Sequence, residues 1–305
     1  METKKISVII PCYNRTEFIN DAIKSVINNL NLIVKPEILI VSNLEKKMLI
    51  NKEYINNIEY IYNKGETYGN MMKEAIKYAN TDLIAFLEDD DVFSDNKIKE
   101  ILNEFKKNDK LSYYHNLSYN IDRYGKNMDN KQILKSKLEY KPFKSFKDLK
   151  RIMRKEPDHN LSSMVIRKEF INKNDFINME KINLSIDTYI YTIMLKDENI
   201  LIEDNKYLTG YRIHNNNTTN IENNIKKSLR IHDLYSKDYL FSSKMSDNNF
   251  LKKYLLCKSK LEKMYYDQIL HKNVSKDLIK LINCIYLLNS NTINNVFKNF
   301  LGKKL

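Results

Sequence analysis

Five apolar residues, Leu83-Ile84-Ala85-Phe86-Leu87, run without a break and are followed at once by four acids, Glu88-Asp89-Asp90-Asp91. An apolar run of that length reads as a strand covered on both faces, which is the habit of parallel sheets. Parallel strands need crossover helices between them, and the flanking sequence supplies them. Lys5 to Pro11 reads as a strand. Phe18, Ala22, Ile23, Val26, Ile27 and Leu30 then share one helical face, with Asn14 or Thr16 placed to cap its first turn. Glu37 to Val41 and Ile58 to Tyr62 read as further strands, and Met71, Met72, Ala75, Ile76 and Ala79 as a second helical stripe. This rhythm predicts an α/β fold with a mostly parallel, doubly wound sheet.

Four neighbouring carboxylates repel one another in a low-dielectric setting unless a cation or protons intervene. Two readings of the acidic run stand side by side. Hard divalent ions such as Mn²⁺ or Mg²⁺ prefer oxygen ligands, and open α/β sheets bind ligands at the carboxyl ends of their strands. Alternatively the run is a solvated turn capping the next helix, which starts near Ser94-Asp95 and carries Ile98, Ile101, Leu102 and Phe105. The first strand-to-helix turn, Pro11-Cys12-Tyr13-Asn14-Arg15, holds no glycine. Neither a dinucleotide fingerprint nor a Walker A loop is therefore present. Tyr13 offers a ring for stacking on a base and Asn14 a polar edge.

Beyond residue 110 the pattern loosens. Leu111 to His115, Ser162 to Ile166 and Tyr207 to His214 read as strands. Phe146, Leu149, Ile152 and Met153 form a short helical stripe, and Ile186, Tyr189, Ile190, Ile193 and Met194 another. From about residue 222 the pattern is helical, with a break near Ser243 to Asn249, and Leu278 to Leu288 reads as a packed helix. The net charge of +12 is concentrated there: residues 220–305 carry 16 Lys and Arg against 7 Asp and Glu. Cys12, Cys257 and Cys284 are too few and too far apart for a disulfide framework or a zinc pattern, which predicts a reducing, cytoplasmic setting. No apolar signal segment opens the chain and no run is long enough to cross a bilayer.

Taken together, Ile6 to Arg15, the strand Glu37 to Val41, the Asn63-x-Gly65 turn and Leu87 to Phe93 resemble the family 2 glycosyltransferases, over roughly residues 5–215. The resemblance implies an α/β GT-A fold, a mostly parallel mixed sheet flanked by helices, here with a C-terminal helical extension. It implies inverting transfer of a sugar from a nucleotide-diphosphate donor, UDP by default, to a glycan or lipid-linked glycan, with Mn²⁺ or Mg²⁺ as cofactor. Carried over by position, Pro11, Tyr13 and Asn14 fall where the family cradles the nucleotide. Glu88, Asp89 and Asp90 fall on its acidic signature, with Asp90 as metal ligand. Asn43, Gly65 and Asn70 fall among the donor contacts. Asp187 falls on the catalytic base, which an inverting displacement needs opposite the leaving group. In Tyr211-Arg212-Ile213-His214-Asn215, Arg212 is placed to grip phosphate and His214 to join the metal shell. The implied organisation is a catalytic domain over 1–218, with a nucleotide-binding half (1–115) and an acceptor-binding half (116–218), followed by a basic helical region over 219–305.

Departures and rival readings stay open at this point. Ser42-Asn43-Leu44 stands where the family has Asp-Asp-Gly-Ser, so Asn43 offers an amide to a base edge instead of an anionic acceptor. Thr67-Tyr68-Gly69-Asn70 lacks the usual arginine, and Ile186 replaces the glutamate before the base. A sugar-nucleotide-binding pseudoenzyme is the alternative these losses suggest. Asp187 or Ser185 can equally serve as the cap of the helix that follows. Lys-rich amphipathic helices can rest on anionic bilayers, so residues 219–305 offer either a peripheral contact with the inner membrane face or ordinary packing of Leu251, Tyr254, Leu255, Leu261, Met264 and Tyr265. No stacking platform or helix-turn-helix points to nucleic acid.

Overall fold

A computed structural model of the chain describes residues 6–272 apart from 30–34, 47–49, 53, 55, 57, 66, 130–135, 197 and 215–223. Lys5, Leu30, Asn215, Cys284 and the predicted helix of Leu278 to Leu288 lie outside the described residues.

The strands are β1 (Ile6–Cys12), β2 (Glu37–Ser42), β3 (Ile58–Tyr62), β4 (Leu83–Phe86), β5 (Val92–Phe93), β6 (Leu111–Ile121), β7 (Leu138–Tyr140), β8 (Met164–Arg167) and β9 (Ile200–Arg212). They form one sheet in the order β3-β2-β1-β4-β8-β6-β9-β5, with β7 also paired to β9. The run β3-β2-β1-β4 is parallel throughout, and β8 then enters antiparallel to both β4 and β6. The acidic run therefore leaves β4 where the parallel half of the sheet meets its first reversed strand.

Alternate residues of β4 enter different apolar clusters. Leu83, Ala85 and Leu87 join Ile6, Val8 and Ile10 on one face, where α1 (Ile19–Asn28) packs; Ile84 and Phe86 join Ile9 on the other, where α2 (Tyr68–Tyr78) packs. Both faces of the strand are covered, as its uninterrupted apolar sequence demands. Next along the chain, α3 (Lys97–Lys107) adds Ile98, Ile101 and Phe105 to the first face. The second face receives α4 (Phe146–Met153), then, after α5 (Lys173–Asn178), α6 (Ile186–Met194).

Several details differ from the sequence reading. Neither Asn14 nor Thr16 caps α1: Phe18 occupies the N-cap position and no side chain bonds the first turn. Strand β5, only two residues long, stands between the acidic run and α3, whose N-cap is Asn96. Strand β6 continues past His115 to Ile121, and β9 starts at Ile200, ahead of Tyr207, and ends at Arg212, short of His214; each completes the other's ladder across polar residues that hide the apolar alternation.

The last described helices, α7 (Ile225–Met245) and α8 (Asn249–Ile269), are separated at Ser246-Asp247-Asn248, and the Asn248 side chain caps α8 by accepting from Phe250 N and Leu251 N. Leu251, Tyr254, Leu255, Leu261 and Met264 are buried in the cluster that also holds α6, and Tyr265 packs against it. Core packing is what these six side chains do. Among the described residues, no helix is long and apolar enough to cross a membrane.

Candidate active site

A cavity of about 480 Å³ opens beside the end of β4. Pro11, Tyr13 and Arg15 line one side, Glu88, Asp89 and Asp90 its floor, and Asp158, His159 and Asp187 another wall. Lys227, Arg230, Tyr235 and Tyr239 of α7 and Lys258 of α8 complete it. Cavity and acids thus meet at the carboxyl end of a parallel strand, next to a reversal in the sheet.

The three aspartates of the run are not solvated, and Glu88 is half-buried. Asp89, Asp90 and Asp91 are 4%, 7% and 1% exposed, and β5 separates them from α3, so the capping-turn reading does not describe them. Each is held by a group from elsewhere in the chain. Arg15 binds both carboxylates in front, donating through Nη1 to Asp90 Oδ2 at 2.6 Å and through Nη2 to Asp89. His214 Nε2 lies 3.1 Å from Asp90 Oδ2. Arg212 N donates to Asp91 Oδ1 at 2.9 Å, and Ser162 Oγ accepts from Glu88 N at 2.9 Å. Behind the turn, the fully buried Lys97 donates to Ser162 O and Thr209 Oγ1 at 2.5 and 2.7 Å, and burial holds its ammonium well below the usual lysine range.

One oxygen each of Glu88, Asp90 and Asp91 falls within 4.8 Å of the other two. Burial, then the neighbouring carboxylates, pushes Glu88 well above its ordinary range. Burial and Asp90 raise Asp91 to about 7, and burial raises Asp89 to about 6 against the pull of Arg15. Asp91 Oδ2 is buried with no hydrogen-bond partner. An all-oxygen set with an orphaned carboxylate atom fits a hard divalent cation. Asp91 joins Glu88 and Asp90 in that set although the sequence reading did not select it.

The other predicted residues fall into two groups. Pro11, Tyr13, Gly65, Glu88, Asp89, Asp90 and Asp187 line the cavity, with the Tyr13 ring 53% exposed. Asn14, Asn43, Asn70, Arg212 and His214 do not line it. Asn14 sits in the left-handed region at φ 54° and exchanges bonds with Asn43: its N–H donates to Asn43 Oδ1 at 3.1 Å, and Asn43 Nδ2 donates to Asn14 Oδ1 at 2.8 Å. Asn43 thereby commits one acceptor and one donor position within the protein. Asn70 packs its side chain over Gly65, where a Cβ would sit 2.2 Å from Asn70 Oδ1. Arg212 is fully buried. Its guanidinium donates to Asp90 O at 2.7 Å, Arg123 O at 2.8 Å and Asp21 Oδ2 at 3.1 Å, so it holds the acidic turn from behind instead of reaching a phosphate in the cavity.

Asp187 is the second residue of α6. Its Oδ1 accepts from Thr188 N at 2.7 Å, satisfying one first-turn amide while the residue still faces the cavity. Ser185, at the N-cap position, makes no capping bond. Capping and exposure to the cavity coexist in the one carboxylate. Burial raises its pKa and Asp158 adds to the rise, while His159, Thr188 N and Lys258 oppose it. Asp158 in turn takes Lys258 Nζ at 3.1 Å. The sequence reading missed Asp158, His159, Lys227, Arg230 and Lys258, none of which stands in a recognisable spacing. Arg15 was visible beside Asn14, but its two carboxylate partners were not.

Comparison with known proteins accords with this geometry. Residues 7–174 match the family model described as Glycosyl transferase family 2. An uncharacterised glycosyltransferase of Rickettsia bellii is 31% identical over 129 residues, 41% of this chain and 18% of its own. The minor teichoic acid biosynthesis protein GgaB of Bacillus subtilis is 31% identical over 105 residues, 32% of this chain and 12% of its own. The matched stretches thus span well under two thirds of those relatives. Among solved structures, S. aureus TarS 1–349 in complex with UDP aligns over 99% of this chain and 76% of its own, with TM-score 0.57 and 14% identity. Its complex with UDP-GlcNAc aligns over 96% and 91%, with TM-score 0.56 and 13% identity. At such identities the likeness is one of fold: the GT-A arrangement of a central sheet flanked by helices. The family match spans more than half of the chain and runs through the acid-tipped strand, and on that ground the protein belongs to glycosyl transferase family 2.

Proposed function

We propose that the protein transfers a sugar from a nucleotide-diphosphate donor to a glycan or lipid-linked glycan acceptor, with inversion at the transferred carbon. The observation that carries this reading is that one cavity holds both the acidic tip and Asp187. Tyr13 stacks on the nucleobase, and Gly65, which also lines the cavity, leaves room for the Asn63 and Asn70 side chains. Asp187 takes the proton of an acceptor hydroxyl as its oxygen attacks the anomeric carbon and the bond to the diphosphate breaks. A divalent cation held by Glu88, Asp90 and Asp91, with His214 beside Asp90, would supply positive charge to the diphosphate leaving group. Arg15 offsets the charge of Asp89 and Asp90.

A UDP-sugar is the first donor to try, since the solved TarS structures contain UDP and UDP-GlcNAc. Lys227 and Arg230 on the wall made by α7 suit an acceptor that carries phosphate, and GgaB is named for teichoic acid synthesis. Work at the inner membrane face, where lipid-linked acceptors reside, is the corresponding setting.

The test is a panel of sugar nucleotides with Mn²⁺, Mg²⁺ or chelator, scored for thermal shift and for release of nucleoside diphosphate. Metal-dependent release is expected from at least one donor. Tight donor binding without release under any condition would favour the pseudoenzyme, which the apolar Ile186 and the self-paired Asn43 recommend. Absence of binding by every donor would remove the reading altogether.

A further inference from the structure

Helix α6 has no side-chain bond from its own N-cap residue. Ser185 occupies the N-cap position, yet its Oγ is buried and bonds nothing. The amides just ahead of the helix are taken by a carboxylate from far along the chain. Asp238 of α7, 1% exposed, accepts from Asn183 N at 3.0 Å, Leu184 N at 2.7 Å and Ser185 N at 3.0 Å, and from Asn183 Nδ2 at 3.0 Å. Three successive backbone N–H groups around one anion at a helix start form a strong electrostatic nest. Two residues beyond the last of them stands Asp187. On its other side Thr188 abuts Asp158, which is paired with Lys258 of α8.

We propose that Asp238 is the positioning residue for Asp187: it fixes the Asn183–Ser185 turn, and through it the direction in which the base carboxylate meets the acceptor. The proposal rests on the reading of Asp187 as base. It makes the α7–α8 pair part of the catalytic apparatus, although both helices lie beyond residue 174, where the family match ends. A tight requirement is reasonable, because a reacting group misplaced by about 1 Å can cost on the order of 100-fold in rate.

The experiment compares wild type, Asp238→Ala and Asp238→Asn, each with and without Asp187→Asn, checking the fold by circular dichroism. Asp238→Ala should lower kcat by roughly 10- to 100-fold and leave the donor KM nearly unchanged. Asp238→Asn, which keeps one acceptor oxygen, should recover part of the loss. In the Asp187→Asn background neither change should lower the residual rate much further, because a residue acting through Asp187 has nothing left to position. Hydrogen exchange at amides 183–188 should rise in Asp238→Ala while the strands keep their protection. Equal losses in both backgrounds would overturn the proposal, as would wild-type exchange in the turn. If wild type releases no nucleotide from any donor, the reading of Asp187 falls, and the exchange data alone decide whether Asp238 sets this turn.

Discussion

Glu88, Asp89, Asp90 and Asp91 occupy consecutive positions at the end of a strand buried on both faces, so one local feature delivers three carboxylates to the cavity and sets a fourth, Asp91, directly behind them. Asp187 arrives alone, at the start of a helix whose leading turn is tied to Asp238, more than fifty residues later. The acidic tip is placed by strand geometry and then trimmed by Arg15, Arg212 and His214. The turn that carries Asp187 has no comparable local determinant. A contiguous motif at the end of a strand announces itself; a single residue held by a distant partner does not, although residues of both kinds line the cavity.

The largest test of that contrast is Asp187→Asn. Loss of a general base costs about 10²- to 10⁴-fold in turnover, and donor binding, which the proposed function assigns to the acidic tip, should persist in a thermal-shift titration. Unchanged turnover would leave Asp187 as a helix cap and nothing more. A pH profile sharpens the same point. Burial raises the Asp187 pKa, and the base must be ionised to accept a proton, so kcat should fall on the acid side above the ordinary Asp range near 4. The linkage has the opposite sign from that of a salt-bridged acid. Its stabilising share is present while Asp187 is protonated and is lost as pH rises through the raised value.

Next in size is Gly69→Ala. Gly69 N donates to Ile182 O at 2.9 Å, and a Cβ at Gly69 would lie 1.9 Å from the backbone oxygen of Met179. Backbone cannot step aside as a flexible side chain can, so about 1–3 kcal/mol of stability should be lost, read as a lower denaturation midpoint. Because Met179 leads directly into the Asn183 turn, the damage should reach turnover before donor affinity. The smallest effect is expected from Thr16→Ala. No side chain caps α1, so its stability should stay within about 0.5 kcal/mol of wild type, whereas Asn248→Ala, which removes a real cap of α8, should cost about 1 kcal/mol.

Legibility in the sequence followed locality. Strands β1, β2 and β4 and helix α2 were readable because each buries a continuous or periodic set of apolar residues, and β3 because its β-branched and aromatic residues favour a strand even though only Ile58 is fully covered. Strand β5 was too short to leave a pattern, and the outer parts of β6 and β9 carry polar residues that only their mutual pairing makes extended. Arg212 shows the same limit in a side chain. Its position was marked, but only the folded chain surrounds its guanidinium with Asp21 and the carbonyls of Asp90 and Arg123, leaving no face for phosphate.

The sequence by itself determined the layered α/β core and the acidic strand end, because burial on both faces and charge at a terminus are written in adjacent residues. Tertiary structure alone decided that Asp91 stands with Glu88 and Asp90, that Asn43 spends its amide on Asn14, that α7 and α8 wall the cavity, and that α7 holds the turn ahead of Asp187. Those outcomes depend on hydrogen bonds between groups tens of residues apart, whose geometry exists only once the sheet has brought them together.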